Sequence, residues 1–278
     1  MKKVLVVLLL FGFIPSFGGG GWPQPKRSGY FKFSQNYIGS PSYFAPDGTI
    51  VDITTIQLFT SSIYGEYGFT DRLTGIIYLP FFVRSTLNKI QYNQSGTSVP
   101  GDALNSIGDT DISLKYGLIV NKPIVVSGTL LFGIPLGNNA GGASGILQTG
   151  DGEFNQMVKI DASYSFSPKP FYVSAYAAFN NRTRGFSDEV RFGAEVGLTL
   201  KRFIPILKFN VVKSLYNGNA SETQNGIFSN NTEYVSPTVE LNYQLTDKWG
   251  VSGSGGFALS GKNILASPNW SLGLYLKL

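Results

Sequence analysis

Glu189-Val190-Arg191-Phe192-Gly193-Ala194-Glu195-Val196-Gly197-Leu198-Thr199-Leu200 is apolar at every even position and charged, small or polar at every odd one. Successive side chains of a strand point to opposite faces, so this segment has one oily face and one wet face. A soluble sheet can show the same alternation once. Here it recurs along nearly the whole chain, and in no recurrence does a charge fall on the oily face. The pattern predicts an all-β fold, a transmembrane antiparallel up-and-down β-barrel.

Composition agrees. Charged residues make up 14% of the chain, against roughly 25% in soluble domains. Aromatics also reach 14%, and glycine is abundant at 34 residues. Beyond its start the chain has no segment long and apolar enough for a membrane helix, so strands must do any crossing, since only helices and closed barrels satisfy their backbone in lipid.

Met1-Lys2-Lys3, the apolar run Val4 to Phe13 and the small-residue end at Ser16-Phe17-Gly18 have the parts of a secretory signal. The run is too short to span a bilayer as a helix, which takes roughly 20 residues. The expected organisation is a signal peptide over 1–18, cleaved after Gly18, a short periplasmic segment over 19–28, and an outer-membrane barrel over 29–278. Without cysteine there is no disulfide scaffold and no lipid-modified N-terminal cysteine. The net charge of +5, or +3 without Lys2 and Lys3, is too small to imply a nucleic-acid partner.

Five short breaks divide alternating segments: Thr70-Asp71-Arg72, Val120-Asn121-Lys122-Pro123, Ser167-Pro168-Lys169-Pro170, Lys201-Arg202 and Thr246-Asp247-Lys248. Their Asp, Asn and Pro suit tight turns. The first and last are near copies, Phe69-Thr70-Asp71-Arg72-Leu73 and Leu245-Thr246-Asp247-Lys248-Trp249. Between them lie longer polar stretches, at about 39–54, 84–108, 134–155, 181–188, 213–233 and 260–269. Short turns on the periplasmic side and long loops outside are the asymmetry of outer-membrane barrels, and five turns with six loops join about twelve strands.

On the parity that faces lipid no residue is charged; a Lys or Arg at mid-bilayer there would cost about 2–4 kcal/mol. Tyr67, Phe69, Tyr164, Phe166, Phe171, Phe203, Tyr243 and Trp249 gather beside the short turns as an aromatic girdle. Phe81, Phe132, Phe179, Phe192, Phe209, Phe257 and Trp270 form a sparser band toward the long loops. Pro80, Pro205 and Pro237 fall within or near strands of a barrel that has no free edge, so bulges or strand ends are expected there.

The opposite parity collects the charges. Lys32, Glu66, Asp109, Asp111, Lys115, Lys159, Asp161, Arg191, Glu195, Lys208, Glu240 and Lys277 are the candidate lumen- or pore-lining residues, with Glu189 beside them. They can tune a narrow aqueous pore or brace a closed barrel through pairs such as Asp111 with Lys115 and Arg191 with Glu195. The chain has no histidine, which removes Ser-His and Cys-His catalysis and most zinc sites. No catalytic residue, metal or cofactor is assigned. Asp109 with Asp111 reads as a solvated strand end, and Thr149-Gly150-Asp151-Gly152-Glu153-Phe154-Asn155 as a turn, not a calcium loop.

Gly108-Asp109-Thr110-Asp111-Ile112-Ser113-Leu114-Lys115-Tyr116-Gly117-Leu118, Gly133-Ile134-Pro135-Leu136-Gly137 and the turn Gly68 to Thr74 resemble the MetA-pathway of phenol degradation family. The resemblance covers most of the chain from about Ser28 to Leu278. It implies an outer-membrane transporter or porin-like barrel that passes small molecules, aromatic or hydrophobic ones among them, and it places Asp109, Asp111 and Lys115 as motif positions facing the lumen. The chain ends Leu276-Lys277-Leu278 where such barrels commonly end on an aromatic, but alternation back to Trp270 preserves a signal for the barrel-assembly machinery. Expected partners are outer-membrane lipid, lipopolysaccharide and small solutes. The alternative is a closed barrel whose long loops contact a partner.

Overall fold

The computed structural model describes residues 20–92, 96–219 and 226–278, so the expected signal peptide lies outside the described residues. Twelve long strands run in chain order: β1 (Gly29–Phe44), β2 (Ile50–Gly68), β3 (Leu73–Leu87), β4 (Thr110–Ile119), β5 (Ile124–Ile134) and β6 (Asn155–Ser165) are followed by β7 (Phe171–Arg182), β8 (Glu189–Leu198), β9 (Phe203–Ser214), β10 (Glu233–Gln244), β11 (Trp249–Gly256) and β12 (Asn269–Lys277). Each pairs antiparallel with its neighbours in sequence. The last pairs with the first, from Tyr30↔Lys277 to Ile38↔Asn269, and the sheet closes into a barrel without an edge. Among the described residues there is no helix.

The wall is inside out relative to a soluble protein. Leu272 and Trp270 are 71% and 60% exposed on the outside, while Glu66, Lys115 and Asp161 are buried within. An apolar exterior and a polar interior suit a barrel whose outer solvent is lipid. The aromatic girdle is real in space: Tyr67 meets Phe69 edge-on at 5.7 Å, and Phe166 stacks on Phe171 at 4.2 Å beside the short turns.

All five expected short turns are present. The near-copied pair adopts one hydrogen-bond pattern: the Thr70 hydroxyl accepts from the Arg72 and Leu73 amides, and the Thr246 hydroxyl from those of Lys248 and Trp249. Each proline finds a break in the ladder, as a residue without an N–H must. At Pro80, β3 gains a residue against β2 and both Phe81 and Phe82 become exposed. Pro205 follows the last β8–β9 pair, Gly197↔Ile206. Pro237 lies where β10 changes partner from β11 to the short strand Ser260–Lys262.

Three expected loops are partly strand: 84–108 carries the ladder from Val83↔Ser106 to Leu87↔Asp102, 260–269 includes Ser260–Lys262 and Ile264–Leu265, and 39–54 departs furthest. The stretch 39–54 is a hairpin whose strands continue to Phe44 and resume at Ile50, with a bulge between Ser40 and Ser42. Beyond the membrane both strand faces meet water, so the alternation that marks a strand disappears. The signal that remains is Pro46-Asp47-Gly48. The Asp47 carboxylate accepts from the Thr49 amide and hydroxyl, and Gly48 takes φ +88.

The residues preceding β1 enter the barrel, against the inner faces of β2 to β7. The Gly21 amide donates to Ser163 Oγ at 2.7 Å, the Ser127 hydroxyl donates to the Gly21 carbonyl, and Lys115 Nζ reaches the Gly20 carbonyl at 3.1 Å. Trp22 sits edge-on to Tyr172 with centroids 5.5 Å apart. Gln24 is fixed twice, its amide on Thr74 Oγ1 and its side chain on Glu66. A Cβ on Gly21 would lie 2.9 Å from the Val125 carbonyl oxygen, so only glycine allows the approach.

Candidate functional site

The barrel interior is the candidate site, and strand parity builds it. The candidate residues on strands all take the inward parity, and Asp109 lies just before β4. Which of them meet is decided by the ladder. Residues four apart on one strand face are separated by about 13 Å at 3.3–3.4 Å per residue. The expected pairs Asp111–Lys115 and Arg191–Glu195 therefore do not form. Arg191 Nη2 instead takes Glu189 at 2.6 Å, and Lys159 Nζ takes Asp161 at 3.0 Å. Glu195 accepts from the Tyr172 hydroxyl at 3.1 Å. Asp111 lies opposite Tyr78 in one ladder and Gly133 in the other.

The interior has two unlike halves. Across β2 to β7, residues 20–25 and the groups that hold them occupy the space. Glu66 accepts from Gln24 and from the Tyr64 hydroxyl, Lys115 is spent on the Gly20 carbonyl, and Ser163 also contacts the Ser174 hydroxyl at 2.7 Å. Across β9 to β12 and β1, and bounded on its far side by Ser62 and Tyr64 of β2 and Tyr78 of β3, lies a cavity of about 370 Å³. Its wall carries Lys32, Lys208, Lys277 and Glu240 among serines, asparagines and tyrosines. Lys208 Nζ is 2.7 Å and Lys32 Nζ 3.4 Å from the two oxygens of Glu240, and Lys277 Nζ donates to Gln244 Oε1.

At the long-loop rim the sequence reading missed an arginine. Arg182, the final residue of β7, holds three carboxylates: Glu153 through Nε at 2.7 Å, Glu189 through Nη1 at 2.9 Å and Asp151 through Nη2 at 3.1 Å. Its partners come from a loop and a neighbouring strand, so no local pattern announces the cluster. Burial pushes the Glu153 carboxyl upward, against the pull of Arg182. Asp109 pins the same loop, 135–154, accepting from the Gly137 amide at 2.8 Å and the Asp151 amide at 2.7 Å. Burial, reinforced by the Asp151 carboxylate, raises Asp109 to about 6.

The loops then join over the opening. Gln148 Oε1 accepts from the Phe228 amide at 3.0 Å, and the Tyr43 hydroxyl donates to the Gly226 carbonyl at 3.1 Å. Fully buried Asn230 accepts from the Ser187 amide, and its carbonyl accepts from Asn263. Loops 135–154, 183–188, 215–232 and 257–268 are thereby tied together. Among the described residues, no group of three or more carboxylates is arranged to hold a metal ion.

No protein-family model matches the sequence, and neither does any curated protein. Among solved structures, the chain is similar to the COG4313 outer-membrane channel from Pseudomonas putida F1, with a TM-score of 0.60 at 15% identity over 95% of this chain and 100% of that one. It is similar to the beta domain of the Bordetella autotransporter BrkA, with a TM-score of 0.51 at 9% identity over 91% and 100% of the two chains. The NanC porin aligns more loosely, with a TM-score of 0.49 at 10% identity over 89% and 100%. At these identities the likeness is one of fold, and the fold is that of outer-membrane β-barrels.

Proposed function

We propose that this chain is an outer-membrane channel that lets small molecules, aromatic or hydrophobic ones included, diffuse through a charge-lined lumen. The observation that carries the reading is the cavity on the β9–β1 side: a closed barrel keeps about 370 Å³ of polar, charge-lined space beside the inserted N-terminal residues. A purely structural barrel gains nothing from leaving several ammonium groups around unfilled space, since buried charge costs free energy unless water or a ligand solvates it. The short motifs around Asp109, Asp111 and Lys115 support placement in the MetA-pathway of phenol degradation family. Residues 1–18 support export by a cleaved signal, and the apolar belt with its final strand supports contact with outer-membrane lipid, lipopolysaccharide and the barrel-assembly machinery.

Purified full-length protein in planar bilayers should give discrete conductance steps and should let small solutes swell liposomes. The loops tied across the rim favour the second reading, a closed barrel that binds at its surface. Silence in both assays, from protein whose gel mobility still changes on boiling, would establish that reading and reject the channel.

A further inference from the structure

The charges inside the barrel are segregated around its circumference. The sequences of β1, β9, β11 and β12 contain no Asp or Glu, and on β10 the cavity meets the single carboxylate of Glu240. Three ammonium groups share that cavity wall. Lys32 and Lys208 approach opposite oxygens of the one carboxylate, and Lys277 stands over the Tyr275 ring at 5.3 Å. One carboxylate compensates one ammonium, so the wall carries an excess of positive charge. Glu195 faces Lys208 from the neighbouring strand and is hydrogen-bonded by the Tyr172 hydroxyl; counting it still leaves the balance positive. Glu66, the other acid close by, takes hydrogen bonds from neutral Gln24 and Tyr64 and has its charge offset by the Lys115 ammonium, so it does not reverse the balance.

The rest of the lining has a definite chemistry. Toward the long-loop rim the wall is neutral and polar, with Asn36, Asn269 and Ser271 and no acid on their strands. Facing the ammonium groups are apolar and aromatic surfaces: Ile204 and Ile206 from β9, and the rings of Tyr30 and Tyr64, whose centroids are 6.4 Å apart. The volume falls at the lower end of the range of small-molecule pockets, roughly 300–1,000 Å³. The acidic groups, Asp109, Asp111, Asp151, Glu153 and Glu189, belong to the opposite arc and its loop, where Arg182 and Arg191 engage three of them.

We propose that this cavity is a subsite for a small organic anion, a carboxylate on an apolar ring-sized body, with the carboxylate between Lys32 and Lys208 and the body against Ile206 and the tyrosine rings. Charge-assisted hydrogen bonds from two ammonium groups match the two oxygens of a carboxylate. An organic cation of the same size meets the excess positive charge and is excluded. The inference rests on the channel reading for its biological meaning, but binding can be measured without transport.

The test is titration calorimetry on the intact detergent-solubilised barrel with three probes of one shape: benzoate, benzyl alcohol and benzylammonium. Benzoate should bind and benzylammonium should not. Lys32→Gln leaves the Lys208–Glu240 pair intact and should weaken benzoate by about tenfold, the scale of one charge-assisted hydrogen bond. Glu240→Gln frees both lysines and should tighten it. Equal binding of all three probes, preference for benzylammonium, no detectable benzoate binding, or indifference of benzoate to both substitutions would overturn the subsite. Bilayer recordings on the same preparations separate the two proposals: conductance without benzoate preference rejects the subsite alone, and benzoate binding without conductance rejects the channel alone.

Discussion

Across β2 to β7 the barrel interior is filled by the chain's own residues 20–25, whereas across β9 to β12 and β1 it holds an open cavity walled by lysines and tyrosines. The two halves share one strand pattern, polar side chains at alternate positions, and differ in what those side chains find. In the filled half each key donor or acceptor meets a fixed partner on the inserted segment: Ser163 and Ser127 meet the Gly21 backbone, Lys115 the Gly20 carbonyl, and Glu66 the Gln24 side chain. In the open half, Lys32 and Lys208 divide one carboxylate. The same wall chemistry thus yields a braced interior where a strand of peptide supplies partners and a solvated one where it does not.

The comparison breaks most severely at the rim of the braced half. Replacing Arg182 with Met leaves Asp151, Glu153 and Glu189 without their shared cation, in surroundings where those carboxylates are nearly inaccessible. Removing one partner of a buried ion cluster costs about 3–5 kcal/mol. The temperature at which the barrel loses its fast gel mobility should fall accordingly. Lys208→Met, in the open half, leaves Glu240 with Lys32 and water and should lower that temperature far less. Equal losses for the two variants would contradict the division into braced and open halves.

A smaller effect is expected at Gly21. Gly21→Val sets a branched side chain against the Val125 carbonyl, 2.9 Å from the Cβ position, and near the Asp161 carbonyl at 3.2 Å. Overpacking of this kind costs about 1–3 kcal/mol. Here the strain can be relieved by releasing the N-terminal residues from the barrel. Bilayer conductance should rise, because the half that residues 20–25 occupy becomes available to ions. Unchanged conductance with an unchanged melting temperature would mean that the segment does not narrow the path.

What the sequence revealed of these halves follows from where lipid touches the chain. Lipid imposes a strict rule on every outward residue, so the strands, the five turns and the inward parity of Lys159 or Glu240 are legible in one dimension. The rule ends at the membrane surface. There the β1–β2 hairpin loses its alternation and passes for a loop, with only Pro46-Asp47-Gly48 to mark the turn. It says nothing about partners either, because Arg182, Glu153 and Glu189 are separated in sequence and joined by the ladder. The pairs inferred along one strand fail for the same reason: neighbours on a strand face are far apart, and neighbours in space sit on other strands. Gly20-Gly21 shows the limit most plainly, since nothing local in the sequence announces that the Val125 and Asp161 backbone lies against Gly21.

The subtlest distinction between the halves lies in their response to pH, through Asp109. Its carboxyl, raised to about 6 chiefly by burial and next by the Asp151 carboxylate, prefers to be protonated in the folded loop. Arg182 engages Asp151 at the same place, and Asp111 carries a further acid two residues along. Between the ordinary aspartate range and about 6, the docked loop binds more protons than the undocked one, so docking weakens as pH rises through that window and is strongest below it. Protection of the Gly137 and Asp151 amides, which Asp109 accepts, should be greater at pH 5 than at pH 7.5 once intrinsic exchange rates are divided out. Asp109→Asn keeps an accepting oxygen and cannot ionise, so its protection should not change with pH. The open half supplies a neutral reference: the Asn263 amide donates to the Phe44 carbonyl at 2.8 Å, and its protection should be flat over the same range. If both sites lose protection together as pH rises, the cause is general loosening of the rim, and Asp109 is not the group that senses the proton.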